Sequence, residues 1–335
     1  MKIAIVNSST FGMYFPEHIE KLSVLGKVEK INTGTGARGG ELAKKLKGFE
    51  VVIASVTPWY DPDFFAANKD ILLIARHGVG INNVDLNSAT ESGVIVTKVT
   101  GKMERDSVAE HAVTLLLQVA RKIIPAVEAV KRGKWSERAK FTGVEIRDKN
   151  VGIIGIGEIG SKVAEILKGG FNATILAYDP YLDPNVIRER GAEPADFEDL
   201  LERSDIISLN CPFNKENYHM LGEKEFSRMK DGVIIVNTAR GELIDEKALI
   251  NVLEKGKIGG IGMDVLEGEP IDEKHPLLKF DKTVIVPHIA AYTMESLKRM
   301  GDKVVKDVES IVKKQVPNYV ANPDVLKAKN RAGIL

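Results

Sequence analysis

The sequence predicts an α/β protein made of two doubly wound, parallel-sheet domains, one inserted into the other. Three observations carry that prediction. Short apolar runs alternate with longer amphipathic stretches throughout, as in parallel strands joined by crossover helices. The alternation comes in two series, separated by an apolar stretch with helical spacing. At 335 residues the chain is longer than one hydrophobic core usually serves, so two domains are expected.

The first series has apolar runs at 2–6, 51–55, 72–75 and 94–97, with helical spacing at 16–25, 39–46 and 84–92. Residues 107–121 (SVAEHAVTLLLQVAR) then read as a helix capped by Asp106 or Ser107. This helix is too apolar for a surface position, so burial against another domain or subunit is expected. The second series begins at Asn150. Its strands are expected at 151–154, 174–178, 206–210, 233–237, 260–263 and 283–286, and its helices at 160–168, 185–190, 197–203, 223–229 and 246–255. Six strands in this order suit a doubly wound sheet. A last helix, about 294–314, follows the second series and is expected to return to the first domain. The division is then a discontinuous domain of residues 1–101 and 294–335 around a continuous one of 102–293. The tail after Pro323 is polar and is expected to be loosely held.

Lys plus Arg and Asp plus Glu both total 47. A net charge of zero supplies no basic field for a polyphosphate backbone, which argues against a nucleic-acid partner. The single cysteine, Cys211, excludes an intrachain disulfide framework and suits a reducing cytoplasm. The opening MKIAIVNSSTFG turns polar too soon for a signal peptide. No apolar run approaches the ~20 residues of a membrane-spanning helix, so no membrane partner is expected. No metal is called for.

Residues 151–160 read VGIIGIGEIG, an apolar strand running into Gly155, Gly157 and Gly160. Gly155 permits the tight turn, Gly157 lets the backbone approach a pyrophosphate, and Gly160 lets the next helix pack on the strand. The helix start adds free N–H donors and a positive dipole end. Three glycines alone are weak evidence, but here a strand precedes them and a helix pattern follows. The next strand ends at Asp179, 19 residues past Gly160, where a carboxylate accepts hydrogen bonds from both adenosine ribose hydroxyls. The loop therefore predicts a Rossmann-like domain binding NAD, with NADH preferred over NADPH because Asp179 repels a 2′-phosphate. No basic residue immediately follows Asp179 to favour one.

Three segments each place a reactive side chain just beyond a strand of the second series: 236–242 (VNTARGE), 264–270 (DVLEGEP) and 287–293 (PHIAAYT). Ligands of such sheets sit at the carboxyl ends of the strands. Reduction of a keto acid requires a cation for the carboxylate, a proton donor for the developing alkoxide and a hydride. Arg240 suits the first role, since a guanidinium grips a carboxylate in two places. His288 suits the second, because an imidazole donates and accepts protons near neutral pH. Glu269 beside it favours the imidazolium and holds its orientation.

These motifs, with 76–85 (RHGVGINNVD) and 107–113 (SVAEHAV), resemble those of the D-isomer-specific 2-hydroxyacid dehydrogenases in order and spacing over essentially the whole chain. The resemblance implies that Arg240 binds the substrate carboxylate and carbonyl and that Glu269 and His288 form the acid–base pair. It implies that the backbone N–H groups of Val79 and Gly80 bind the same carboxylate, with Ser55 and Val56 nearby. On the cofactor side it points to Glu158, Ile159, Asp179, Cys211, Pro212, Thr238 and Ala239. Asp264 is expected to meet the nicotinamide carboxamide and Val108 to pack near that ring. It also implies a homodimer built through the cofactor domain, and domain closure about hinges near Gly101 and Tyr292.

Some features depart from the commonest family pattern. Residues 100–106 (TGKMERD) are charged, and Lys102 and Arg105 are candidates for receiving a more anionic substrate. Residues 213–217 (FNKEN) replace the usual Leu-Thr-x-x-Thr, and His288 is followed by Ile-Ala-Ala-Tyr. The alternatives within the class are a 3-phosphoglycerate dehydrogenase and a sugar-acid reductase of the 2-ketogluconate type. Formate oxidation is disfavoured, because related formate dehydrogenases carry Gln at the position of Glu269. Outside the class the alternative is a non-catalytic, NAD-sensing binding protein resembling transcriptional corepressors, since fold alone does not settle function.

Overall fold

The computed structural model describes residues 1–327 and 331–334. The chain forms two compact units, Met1–Glu104 with Tyr292–Leu335, and Arg105–Ala291. In the first unit, strands β1 (Lys2–Val6), β2 (Lys27–Ile31), β3 (Val51–Ala54), β4 (Leu73–Arg76) and β5 (Ile95–Thr97) form a parallel sheet of order β2-β1-β3-β4-β5. Strand side chains alternate between faces, and here both faces are covered. Ile3, Ile5, Val51, Ile53, Leu73, Ala75 and Ile95 pack in one apolar cluster; Ala4, Val6, Val52, Ala54, Ile74 and Val96 pack in another. Helices α1 (Glu17–Leu25), α2 (Gly39–Lys45), α3 (Pro62–Ala67) and α4 (Leu86–Glu91) follow strands β1 to β4 in turn.

β2 was not expected. Its sequence KVEKI carries three charges on a partly exposed edge strand, where charged side chains also discourage pairing with another chain. The tail is held more firmly than its polarity suggests. Val325 and Ile334 are buried, Arg331 N–H donates to Gly93 O at 2.9 Å, and Asn322 Oδ1 accepts from Val96 N at 2.9 Å.

Helix α5 (Gly101–Ala120) begins well before the expected cap at Asp106 or Ser107. The charged 101–106 segment forms its opening turns, and Ser107 is a buried position within the helix. Its apolar side chains find their partner inside the second unit. Leu115, Leu116 and Val119 join the core cluster there. A Cβ on Gly260 would lie 2.6 Å from Val119 Cγ1, and one on Gly262 would lie 2.9 Å from Leu115 Cβ. These two glycines let α5 settle directly on the sheet. Exposed apolar surface appears on the next helix instead, α6 (Ile123–Lys131), at Ile123, Ile124, Val127 and Val130, and beyond it at Trp135.

The second unit is a seven-stranded parallel sheet: β6 (Asn150–Ile154), β7 (Thr174–Tyr178), β8 (Glu193–Pro194), β9 (Ile206–Leu209), β10 (Val233–Asn237), β11 (Ile258–Met263) and β12 (Thr283–Ile285). The order β12-β11-β10-β9-β6-β7-β8 is the doubly wound nucleotide-binding arrangement, extended by one strand, with its switch point between β6 and β9. The sequence showed six strands; β8, two residues long, is too short to leave a pattern. Helices α7 (Glu158–Phe171), α8 (Pro184–Glu189), α9 (Phe197–Arg203), α10 (Glu223–Arg228) and α11 (Glu246–Glu254) complete this unit.

Helix α12 (Met294–Val312) returns to the first unit. Val304, Val305, Val308 and Ile311 line up at helical spacing and join the cluster that contains Ile3, Ile5 and Val51. It also carries a buried ion pair, in which Lys303 Nζ donates to Asp307 Oδ2 and to Asn318 O at 2.9 Å, while Thr97 Oγ1 donates to Asp307 Oδ2 at 2.6 Å. Burial pushes the Asp307 carboxyl up and the Lys303 ammonium down. Among the described residues no helix is long and apolar enough to cross a membrane.

Candidate active site

The glycine turn sits at the switch point, directly after β6. Gly155 holds φ +84°, and a Cβ there would lie 2.7 Å from Cys211 Cα. A Cβ on Gly160 would lie 2.1 Å from Gly155 O, so the start of α7 closes on the turn only because that residue is glycine. Gly157 differs: a Cβ there would meet nothing within 4 Å. A side chain would fill open space in front of the backbone, where the N-terminus of α7 at Glu158 and Ile159 has no capping side chain. Helix start, open cradle and free N–H donors together fit an anionic group.

Asp179, just past β7, accepts from Ile156 N at 3.2 Å through Oδ2 and from Tyr181 N at 3.1 Å through Oδ1. Arg190, after α8, donates to Ile156 O, so the peptides flanking Ile156 are held by an acid on one side and a base on the other. No motif or spacing pointed to Arg190. At the next strand ends, Asn210 Oδ1 and Thr238 Oγ1 are buried without a protein partner. Orphaned polar atoms of this kind are unusual and fit a dinucleotide lying along the carboxyl edge of the sheet. Cys211 lies against the glycine turn, and burial pushes its thiol up to about 11. After Pro212, the unusual FNKEN stretch caps itself. Asn214 N donates to Asn217 Oδ1 at 2.8 Å, Asn217 N donates to Asn214 Oδ1 at 3.1 Å, and Asn217 Nδ2 donates to Pro212 O at 2.8 Å.

The expected acid–base pair is present. His288 Nδ1 lies 2.8 Å from Glu269 Oε2, and Glu269 Oε1 accepts from Leu266 N at 2.9 Å. Both side chains are about one-third exposed, at 32% and 31%. His288 holds φ +54°, and its N–H donates to Asp264 O at 2.9 Å. Asp264, 1% exposed, takes Ile289 N at 2.7 Å and Ala290 N at 3.0 Å, with His111 Nε2 3.4 Å away. In this structure its carboxylate shapes the turn carrying His288. The buried Val108 lies one helical turn before His111 on α5.

Arg240 follows β10. Asn237, fully buried, forms its turn by accepting from Ala239 N at 3.0 Å and donating to Arg240 O at 2.8 Å. Asn237 ends the apolar run of β10, and nothing in the sequence marks its turn-forming role. Gly241 joins this turn to the Glu269 loop, since a Cβ on it would lie 2.0 Å from Leu266 C and 2.2 Å from Glu267 N. Arg240, Glu269 and His288 thus stand on adjoining loops beyond β10, β11 and β12.

In the first unit, Ser55 and the exposed Val56 follow β3, while Val79 and Gly80 follow β4. Asn83 Nδ2 ties down this region by donating to Ser55 O at 3.1 Å and Pro58 O at 2.8 Å. The buried Arg76 underlies the β4 loop: its Nη1 donates to His77 O at 2.8 Å, and a Cβ on Gly78 would lie 2.8 Å from that nitrogen. Arg105 of α5 pairs with its neighbour Asp106 at 3.1 Å.

Residues 113–290 match the family described as D-isomer specific 2-hydroxyacid dehydrogenase, NAD binding domain. The chain belongs to that family. D-2-hydroxyacid dehydrogenases are NAD-dependent oxidoreductases acting on the CH–OH group of 2-hydroxy acids. Similar members include a glyoxylate reductase of Thermococcus litoralis, 38% identical over 86% of this chain and 88% of its own. A D-3-phosphoglycerate dehydrogenase of Archaeoglobus fulgidus is 39% identical over 85% of this chain, but the match spans 53% of that longer protein. The apo-structure of D-lactate dehydrogenase from Escherichia coli superposes with a TM-score of 0.83 at 33% identity, covering 96% of this chain and 100% of the other.

Proposed function

We propose that this member of the family reduces a small 2-keto acid to the D-2-hydroxy acid, reversibly, with NADH preferred over NADPH. The observation that carries the reading is the 2.8 Å Glu269–His288 pair on a loop packed against the Arg240 turn. When bound, NADH supplies the hydride that goes to C2. An ionised carboxylate only accepts hydrogen bonds, so Glu269 fixes the proton on His288 Nδ1 and leaves Nε2 to exchange a proton with the oxygen on C2. Arg240 grips the substrate carboxylate and polarises the carbonyl. The N–H groups of Val79 and Gly80 are assigned to the same carboxylate, with Ser55 and Val56 beside them.

The pyrophosphate is assigned to Gly155, Gly157, Glu158, Ile159 and Gly160, and the adenosine ribose to Asp179. Cys211 and Pro212 border the cofactor, with Val108, Thr238, Ala239 and Asp264 towards the nicotinamide end. The orphaned Thr238 hydroxyl supports its place in this set. The Asp179 carboxylate supports the NADH preference, since a 2′-phosphate brought to it is repelled. The exposed apolar residues of α6 and Trp135 support a homodimer formed through the cofactor unit, and the lone cysteine supports a cytoplasmic location.

The test is loss of NADH absorbance with glyoxylate, hydroxypyruvate, pyruvate, phosphohydroxypyruvate and 2-ketogluconate, with NADPH in parallel. Turnover of any of these with NADH supports the reading, and the ranking identifies the substrate side chain. Tight NADH binding without turnover of any would favour an NAD-sensing binding protein.

A further inference from the structure

The loop bearing Glu269 carries three acidic side chains, and each faces a histidine from a different part of the second unit. Asp264 lies 3.4 Å from His111 Nε2, Glu267 lies 2.8 Å from His219 Nε2, and Glu269 lies 2.8 Å from His288 Nδ1. Only the last pair has a chemical role in the reading above. The Glu267 pair is the more heavily built. Tyr218 donates its hydroxyl to the other Glu267 oxygen at 2.9 Å, and the rings of Tyr218 and His219 stack at 3.8 Å.

His219 holds φ +53°, a region uncommon for residues other than glycine; His288 at +54° shares it. From there the His219 N–H donates to Glu242 O at 2.8 Å, two residues past Arg240. On its other side, Glu267 N–H donates to Glu246 Oε1 at 3.0 Å, and Glu246 Oε2 lies 3.2 Å from His275 Nε2. Glu267 is therefore tied at both ends to the segment after Arg240, and it lies two residues from Glu269.

We propose that Glu267, clamped by Tyr218 and His219, is a positioning residue that sets the Glu269–His288 pair relative to Arg240. The inference rests on the proposed function and deepens it. Arg240 must hold the carboxylate while His288 meets the oxygen on the adjacent carbon, so the spacing of the two loops fixes the reactive pose. A displacement of about 1 Å at such a site costs on the order of 10²-fold in rate. Charge-assisted hydrogen bonds are strong enough to hold that spacing.

The test compares Glu267→Ala and Glu267→Gln in the full chain, using the keto acid the parent turns over best. Glu267→Ala is expected to lower kcat by about tenfold or more and to shift the limbs of the kcat/KM pH profile, with Kd for NADH within about twofold of the parent. Glu267→Gln keeps an acceptor for Tyr218 and a donor for His219, and should recover most of the lost kcat. Parental kcat, KM and pH profile in Glu267→Ala, with only a lower Tm, would overturn the proposal. So would a Glu267→Gln variant no better than Glu267→Ala. A parent that binds NADH but turns over no keto acid would remove the proposed function itself, and that result is visible before any variant is made.

Discussion

Gly241→Ala tests how closely the Arg240 turn must sit against the Glu269 loop. The added Cβ would lie 2.0 Å from Leu266 C and 2.2 Å from Glu267 N. Both contacts are to backbone, so no side-chain rotation relieves them, and the loops must part by roughly 1 Å or more. Overpacking of this kind costs about 1–3 kcal/mol, while a 1 Å error in the reactive pose costs on the order of 10²-fold in rate. The two costs are similar in free energy, since 10²-fold in rate is about 2.7 kcal/mol, but a loss of that size shows fully in turnover while the chain stays largely folded. Steady-state turnover should drop by ~10²-fold, NADH affinity by fluorescence titration should stay within about twofold, and Tm should fall by only a few degrees. A soluble variant turning over within about threefold of the parent would refute the claim that this contact sets the catalytic spacing.

Four further outcomes follow from the geometry. His288→Gln should cut turnover by ~10²-fold or more with little change in NADH binding; near-normal turnover would show that another group moves the proton. Asp179→Ala should raise kcat/KM with NADPH relative to NADH, and an unaltered ratio would remove Asp179 from the ribose contact. Cys211, its thiol raised to about 11, stays protonated near neutral pH, so alkylation followed by mass spectrometry should be more than ~10-fold slower than for a free thiol; rapid labelling would contradict the burial. Lys303→Met leaves Asp307 buried without its cation and should cost about 3–5 kcal/mol in denaturant unfolding at neutral pH. The folded pKa of Asp307 is raised, so protonation favours the folded state. The deficit should therefore shrink as pH falls towards the unfolded carboxyl value of about 4; a deficit independent of pH would mean the uncompensated carboxylate is not its source.

Features that impose backbone constraints were the most legible in the sequence. Gly155 and Gly160 are readable because no other residue fits their contacts, and Asp179 because it closes the next strand. Arg240, Glu269 and His288 were readable because each follows an apolar strand. What escaped was set by tertiary context. Strand β2 is charged because it is an edge, and α5 begins at Gly101 although its apolar periodicity starts later. Asn237 is the last residue of β10, and the strand pattern gives no sign that its amide forms the Arg240 turn. Arg190 reaches the glycine loop from the far end of a short helix, which no local spacing encodes. Gly260 and Gly262 lie in the expected 260–263 strand, and only the packed structure shows that they are where α5 seats.

Helix α12 supplies Val304, Val305, Val308 and Ile311 to the cluster formed by Ile3, Ile5, Val51 and Ile53. During synthesis, that face of the first sheet therefore emerges from the ribosome long before its cover exists. The intervening 105–291 segment has its own sheet and core, so it can complete its fold while the earlier strands still wait. The nascent chain passes through a period in which a nearly finished insert is flanked by an apolar sheet face open to aggregation or chaperone capture. Emergence of residues 304–311 closes that window. A chain truncated just before Met294 would keep every strand of both sheets and still fail to bury the oldest part of its own core.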